Sequence, residues 1–340
     1  HVPTLWMNSW YDLSVGPNLA LFNHVREKAS DSYVRENQYM VIAPTLHCQF
    51  YRLQDNHVIG ERELGDVDFG LDEMLLSFFD RFLKGRDSGF EDHYPRIRYY
   101  AMGGDKEGEW REATQWPPED ARLVPFYLDS QEGANSLFGD GVLTTDKPGA
   151  QDGGSDTYTY DPTIPVPTVG GNFCCMDSAV KPGVFDQREV EARQDVLVYT
   201  SEVLKADVDV TGFIEPVLYV SSDAKDTDFT VKLVDVFPDG SAYNLDDTIL
   251  RARYRDGFDK EVFMEKGRVY KLDLGPLSTS NVFKKGHRIR VEVSSSSFPH
   301  YDRNLNTGGN NFDETKPVTA RNSIYHSNRY PSHIKLPIRH

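Results

Sequence analysis

The stretch "YMVIAPTLHCQF", residues 39–50, decides how the first third of the chain is read. Met40 to Ala43 form a short apolar run that stops at Pro44. A short run of this kind, bounded by a turn former, is the pattern of a strand buried on both faces. The strand then delivers a histidine, His47, followed by Cys48. A histidine in that position reads either as a catalytic base held at a strand end or as an ordinary loop residue. The stretch alone does not separate the two.

Working outward, residues 2–6 form a second short apolar run, and the turn-like "YDLSVGPN" follows it. In "LALFNHVREKA", Leu19, Leu21, Phe22 and Val25 recur at helical spacing, with Pro17 near the start as helices favour. "LDEMLLSFFDRFLKG" places Leu71, Met74, Leu75, Phe78, Phe79 and Phe82 on one face and ends in Lys84 and Gly85. "RIRYYAMGG" reads as a third strand. Strand, helix, strand, helix, strand predicts a mostly parallel sheet covered by helices over residues 1–118.

From residue 119 the pattern changes. "DVLVYTS", "PVLYVSS", "DFTVKLVDVFPDG", "VYKLDLGPL" and "HRIRVEVSSSSF" are short, β-branched and aromatic, and separated by turns rich in Pro, Asp, Gly and Asn. This predicts an all-β jelly-roll sandwich over residues 119–340. "DKPGAQDGGSD" reads as a surface loop within it, and no internal repeat is found.

The bulk properties narrow the function classes. A chain of 340 residues has room for two domains. A net charge of -16 repels phosphate backbones and argues against nucleic-acid binding. No run of 18 apolar residues is present, so no membrane-spanning helix is expected. Three cysteines, Cys48, Cys174 and Cys175, are too few for a disulfide framework or a zinc site. Adjacent Cys174 and Cys175 would close a strained ring, so all three are expected as buried free thiols. No metal or organic cofactor is implied, and compartment and oligomeric state, a homo-oligomer included, stay open. The chain opens on an apolar strand-like stretch with no signal peptide or initiator methionine, and is expected to begin inside a domain.

Asp12 and His47 each follow a predicted buried strand, 35 residues apart, room for one turn, one helix and one strand. In an open parallel sheet both would lie at the carboxyl edge, where active sites collect. An acid followed by a histidine on strand-end loops matches the last two members of the α/β-hydrolase order Ser, Asp, His. A serine hydroxyl needs an imidazole to take its proton, and a carboxylate on the far ring nitrogen fixes the tautomer. The alternative for Asp12 is a helix cap or turn residue. Asp223, Asp226 and Asp228 lie close in sequence but lack the glycine and distal glutamate of a calcium loop, so turn chemistry is expected. His287, His326 and His333 have no metal-ligand spacing and are read as structural. No serine sits in a Gly-x-Ser-x-Gly elbow. "GGSDT" around Ser155 lacks the closing glycine and is expected in a loop.

With these motifs in view, the sequence resembles the CocE/NonD serine hydrolases, which include cocaine esterases, α-amino acid ester hydrolases, glutaryl-cephalosporin acylases and the related X-Pro dipeptidyl-peptidases. The resemblance is carried by "SWYD", "IAPTLH", "FFDRFLKG", "YYAMGGDKEGEW", "VPTVGGNFCC", "FDQREVEARQDVLVYTSEVL", "VTGFIEPVLYVSSDAKDTDFTVKLVDVFPDG" and "GHRIRVEVSSSSFPHYDRNLNTGG". It implies the C-terminal part of an α/β-hydrolase domain followed by a jelly roll. It implies Asp12 as triad acid, His47 as triad base, and a nucleophilic serine on an N-terminal hydrolase segment preceding His1. Without that segment this chain is expected to be inactive. An ester or amide of small-molecule size is the implied substrate. The family's Gly-Pro-Trp-x-His is replaced here by Ala43, Pro44, Thr45 and Leu46 before His47, which alters the wall and not the imidazole. The "GGNFCC" segment matches a loop lining the acyl pocket, which implies a substrate-binding role for Cys174 and Cys175. A non-catalytic jelly-roll module binding carbohydrate or a partner protein is the alternative.

Overall fold

A computed structural model of the chain describes residues 2–53, 55–104, 106, 108–149, 154–174 and 180–340. The chain starts with strand β1 (Thr4–Tyr11), helix α1 (Val15–Lys28), the short α2 (Ser32–Glu36) and β2 (Gln38–Leu46). A hairpin of β3 (His57–Ile59) and β4 (Arg62–Gly65) follows, then α3 (Leu71–Phe82), α4 (Phe90–His93), β5 (Ile97–Ala101) and β6 (Glu109–Ala113). The first sheet has the order β1-β2-β5-β6. β1, β2 and β5 run parallel and β6 closes one edge antiparallel.

The β2 pattern explains how this sheet is covered. Tyr39, Val41 and Ala43 point to one face and pack on Leu71, Met74, Phe78 and Phe90 of α3 and α4. Met40 and Ile42 point to the other and join Leu19 and Phe22 of α1. Alternation with both sets apolar is what a sheet between two helical layers requires. α3 carries Asp72 and Glu73 in its first turn and Arg81 in its last, matching the helix dipole. Gly85, at φ 64°, supplies the left-handed residue after it. Only part of the predicted apolar face of α3 is buried: Phe79 is exposed. β1 extends well past the predicted residues 2–6, because its buried second half includes the polar Asn8 and Ser9, which carry no apolar signal.

The rest of the chain builds one network of twelve strands, almost entirely antiparallel. In chain order these are β7 (Ala121–Asp129), β8 (Val142–Thr144), β9 (Ser155–Tyr160), β10 (Leu197–Thr200), β11 (Val208–Ser222) and β12 (Asp228–Val236). They continue with β13 (Ala242–Arg251), β14 (Tyr270–Asp273), β15 (Leu277–Phe283), β16 (Arg288–Ser294), β17 (Ala320–Tyr325) and β18 (His333–Arg339). One short helix, α5 (Arg188–Glu191), lies between β9 and β10. The long β11 pairs with β15 through its first half and with β14 and β17 through its second, while β18 lies between β11 and β7. Ser155 opens β9 instead of sitting in a loop; residues 150–153 of the predicted surface loop lie outside the described residues.

The two sheets share a core. Trp10, Tyr11, Met40 and Tyr100 belong to the same buried cluster as Leu218, Phe229 and Leu277. Met102, just past β5, bonds along β15: its N–H donates to Ser280 O and its carbonyl accepts from Val282 N. The Tyr11 hydroxyl donates to Asn244 O at 3.2 Å, and the Trp10 indole donates to Tyr100 O at 2.7 Å. These contacts fix the carboxyl edge of β1 and β2 against the large sheet.

Candidate active site

The register between β1 and β2 builds the site. Ser9 pairs with Ala43, and Tyr11 with Leu46, so β2 advances one residue more than β1 between those pairs. Such a bulge turns the side chains beyond it. Pro44 sits inside the irregular step, where a missing N–H costs no ladder bond. The hydroxyls of Ser9 and Thr45, both buried, close 2.6 Å apart across it. With Tyr11 opposite Leu46, the next residues of each strand, Asp12 and His47, leave the sheet side by side.

The two predicted site residues do meet. His47 Nδ1 lies 2.8 Å from Asp12 Oδ2. The other carboxylate oxygen, Oδ1, accepts from the Ser14 N–H at 2.8 Å and from the Ser14 hydroxyl at 2.6 Å. Asp12 thus makes the turn contacts weighed from the sequence and also faces His47. Oδ1 makes the turn that starts α1, and Oδ2 holds the histidine. After His47 the chain turns back, with the Gln49 N–H donating to Leu46 O at 3.1 Å and Cys48 at φ 56°. His57 lies beneath the strand end. Burial lowers its pKa, only partly opposed by the Pro44 carbonyl.

Three other His–Asp pairings provide the contrast. His287 Nδ1 lies 2.8 Å from Asp235 Oδ1, with Phe237 against its ring at 4.3 Å. His326 has Asp129 Oδ1 3.1 Å from Nδ1 and Asp156 Oδ2 3.3 Å from Nε2. His300 stands 3.7 Å from Asp247. The His287, His326 and His300 side chains are 7%, 4% and 11% exposed, whereas that of His47 is 29% exposed beside an Asp12 at 14%. His47 therefore combines a carboxylate on Nδ1 with a ring that a reacting group can reach. That is the geometry of a general base.

The "GGNFCC" loop approaches the same region. Gly171 and Gly183 exchange backbone hydrogen bonds at 2.8 and 2.9 Å. A side chain at Gly183 would meet Ile59 at 2.8 Å and Leu46, the residue before His47, at 3.3 Å. Cys174 is disulfide-bonded, which corrects the expectation of a free thiol at this position. Cys48 is free as expected but exposed, not buried, because it stands in the turn after β2, and Cys175 lies outside the described residues. Asp226 and Asp228 are buried and bound to arginines: Asp226 faces Arg253 at 2.8 Å, Asp228 faces Arg251 at 3.0 Å, and Asn304 donates to both at 2.7 Å. Among the described residues, no group of three or more His, Cys, Asp or Glu is arranged to hold a metal. Sequence reasoning missed Ser14 and the Ser9–Thr45 contact. The Asp-x-Ser spacing of a side-chain turn was the available signal for the first.

Comparison with known proteins places this geometry in context. Residues 88–335 match the family described as the X-Pro dipeptidyl-peptidase C-terminal non-catalytic domain. Cocaine esterase of Rhodococcus sp. (strain MB1 Bresler) is 41% identical over 338 residues, 99% of this chain and 56% of that protein. Among solved structures, an aminopeptidase from a marine sediment archaeon, Thaumarchaeota archaeon, aligns with a TM-score of 0.83 at 27% identity over 100% of this chain and 55% of its own. An α-amino acid ester hydrolase aligns with a TM-score of 0.81 at 28% identity, over 100% and 56%. The chain thus spans little more than half the length of these relatives.

Proposed function

The chain belongs to the X-Pro dipeptidyl-peptidase C-terminal domain family, as the C-terminal part of a CocE/NonD-type protein related to cocaine esterase and amino acid ester hydrolase, and from that premise we propose that it completes a serine hydrolase whose nucleophile stands on a segment preceding His1. On this reading β1, β2, β5 and β6 are the last strands of an α/β-hydrolase sheet, in a domain ending near residue 118. The large sheet is a jelly roll, folded on itself where β11 changes partners. β1 has no strand beside it on its outer edge among the described residues, which suits a sheet continued by preceding strands.

The observation that carries the proposal is the Asp12–His47 pair with an accessible ring. Asp12 keeps the proton on Nδ1 and leaves the Nε2 lone pair free. Nε2 takes the proton of the serine hydroxyl as its oxygen attacks the acyl carbonyl. Asp12 then stabilises the imidazolium, and His47 gives the proton to the departing alcohol or amine. Water repeats the sequence on the acyl-enzyme. The substrate class is an ester or amide, such as an α-amino ester, an acylated β-lactam nucleus or an X-Pro peptide. Cys174 and Cys175 would shape the acyl pocket through the loop that packs on Leu46.

The test uses the complete protein. His47→Ala should lower kcat on an activated ester by about 10^4 or more, and a serine-directed phosphonate should label the preceding segment. Near-normal hydrolysis by the variant would sink the assignment. Residues 1–340 alone should be inert toward the same ester. A second reading, favoured by the non-catalytic description of residues 88–335, gives the large sheet a binding role toward carbohydrate or a partner protein; Asp12 and His47 lie outside that span.

A further inference from the structure

On the opposite edge of the small sheet from Asp12 and His47, a cavity of about 490 Å³ opens between α1, α2, the foot of β5 and the segment after β6. Arg26, Arg35 and Arg96 converge on it, together with Asn23 and Trp116. Each guanidinium is anchored by one Nη1 donating to backbone carbonyls: Arg26 to Thr114 O, Arg35 to Ala29 O, and Arg96 to Glu36 O and Gln38 O. Arg96 is further held over the Tyr39 ring at 4.4 Å and Arg26 over Phe22 at 5.3 Å. None of the three makes an ion pair among the described residues. This is unusual company in a chain of net charge -16, where Arg111, Arg188, Arg193, Arg251, Arg253 and Arg339 all face carboxylates.

Two acids also line the cavity, Glu27 and Glu36. Glu27 is 67% exposed and faces Lys28 at 3.9 Å, and Glu36 is exposed. Neither forms an ion pair with the three arginines among the described residues. Burial lowers the pKa of Arg26, and the charge of Arg96 lowers it further, so the two cations stand close enough to oppose each other. Trp116, which lines the same cavity, has a buried Nε1–H with no hydrogen-bond partner among the described residues. Fixed, planar, multi-donor groups with no carboxylate ion-paired to them are what phosphate recognition uses.

We propose that Arg26, Arg35 and Arg96 form a binding site for a phosphate-class oxyanion, inorganic phosphate or a small phosphomonoester, separate from the hydrolytic site. Bound there, the anion would tie α1 and α2 to β5.

Isothermal titration of the complete protein with inorganic phosphate and with glycerol phosphate, at matched ionic strength against chloride, tests this. Saturable binding with Kd below about 1 mM is expected, weakened about tenfold or more in Arg35→Gln and Arg26→Gln. Phosphate and glycerol phosphate binding alike supports a site for the free anion; preference for glycerol phosphate supports a site for the ester. The unmodified protein decides the matter even if a variant folds poorly: no saturable heat up to about 10 mM phosphate, or acetate binding as tightly as phosphate, overturns the proposal. Unchanged affinity in both folded variants overturns it as well.

Discussion

Replacing Asp12 with Asn separates the two tasks of this carboxylate. The amide oxygen can still accept from the Ser14 N–H and hydroxyl, which the carboxylate does at 2.8 and 2.6 Å, so the start of α1 is kept. The amide nitrogen then occupies the place of Oδ2, 2.8 Å from His47 Nδ1. Two donors cannot face each other, so the histidine moves its proton to Nε2 and presents a lone pair at Nδ1. The nitrogen that must accept the serine proton is then blocked. A wrong tautomer of this kind costs about 10^4 in kcat, or roughly 5.5 kcal/mol at 1.36 kcal/mol per tenfold. The assay is steady-state hydrolysis of an activated ester by the complete protein, with urea unfolding and the 15N shifts of the His47 ring measured alongside. The expected result is unchanged stability, an exchanged ring-nitrogen pattern and about a ten-thousandfold loss of kcat. A loss under about tenfold with the ring pattern exchanged would refute the role of Asp12 as the orienting acid.

Thr45→Val should leave the buried Ser9 hydroxyl without its partner, now 2.6 Å away, and cost about 1–3 kcal/mol in urea unfolding; the double change with Ser9→Ala should recover much of it if the two form one pair. Phe90 is fully buried and meets the rings of Tyr39 at 4.8 Å, Tyr94 at 5.1 Å and Phe78 at 5.4 Å, so Phe90→Ala should destabilise by about 3–5 kcal/mol, read as a lower urea midpoint. Burial opposes charge on His326, but Asp156 and Asp129 outweigh it and raise its pKa above 6.5. The folded protein therefore holds this proton more tightly than the unfolded chain. The added stability is complete below about pH 6.5 and is lost as the pH rises through the folded value. Thermal melts should show that decline in the parent and a flatter profile in His326→Gln.

Much of the candidate site was legible because its two residues follow strand ends. Asp12 and His47 stand just past β1 and β2, and the apolar runs marked both. What sequence could not show was the bulge. Without the extra residue at Pro44–Thr45, a spacing of 35 would set His47 one position out of step, on the wrong side of the sheet. β6 was missed because Glu109, Arg111 and Glu112 make its sequence charged; an edge strand tolerates this and is even protected by it. The hairpin of β3 and β4 is too short to give a period. The cavity with Arg26, Arg35 and Arg96 had no signal at all, since its residues come from four separate segments.

The position of β18 sets an order of events during synthesis. β18 lies between β7 and β11, with Tyr127 opposite His333. β7 therefore leaves the ribosome about two hundred residues before its partner, an interval of about 10–40 s at ordinary elongation rates. Throughout that time β7 offers an unpaired backbone edge beside Phe126 and Leu128, the kind of edge that recruits a neighbouring nascent chain. Slow translation late in the message, or a shortage of holdase chaperones, should then lower the soluble yield of this protein without altering a single contact in its folded form.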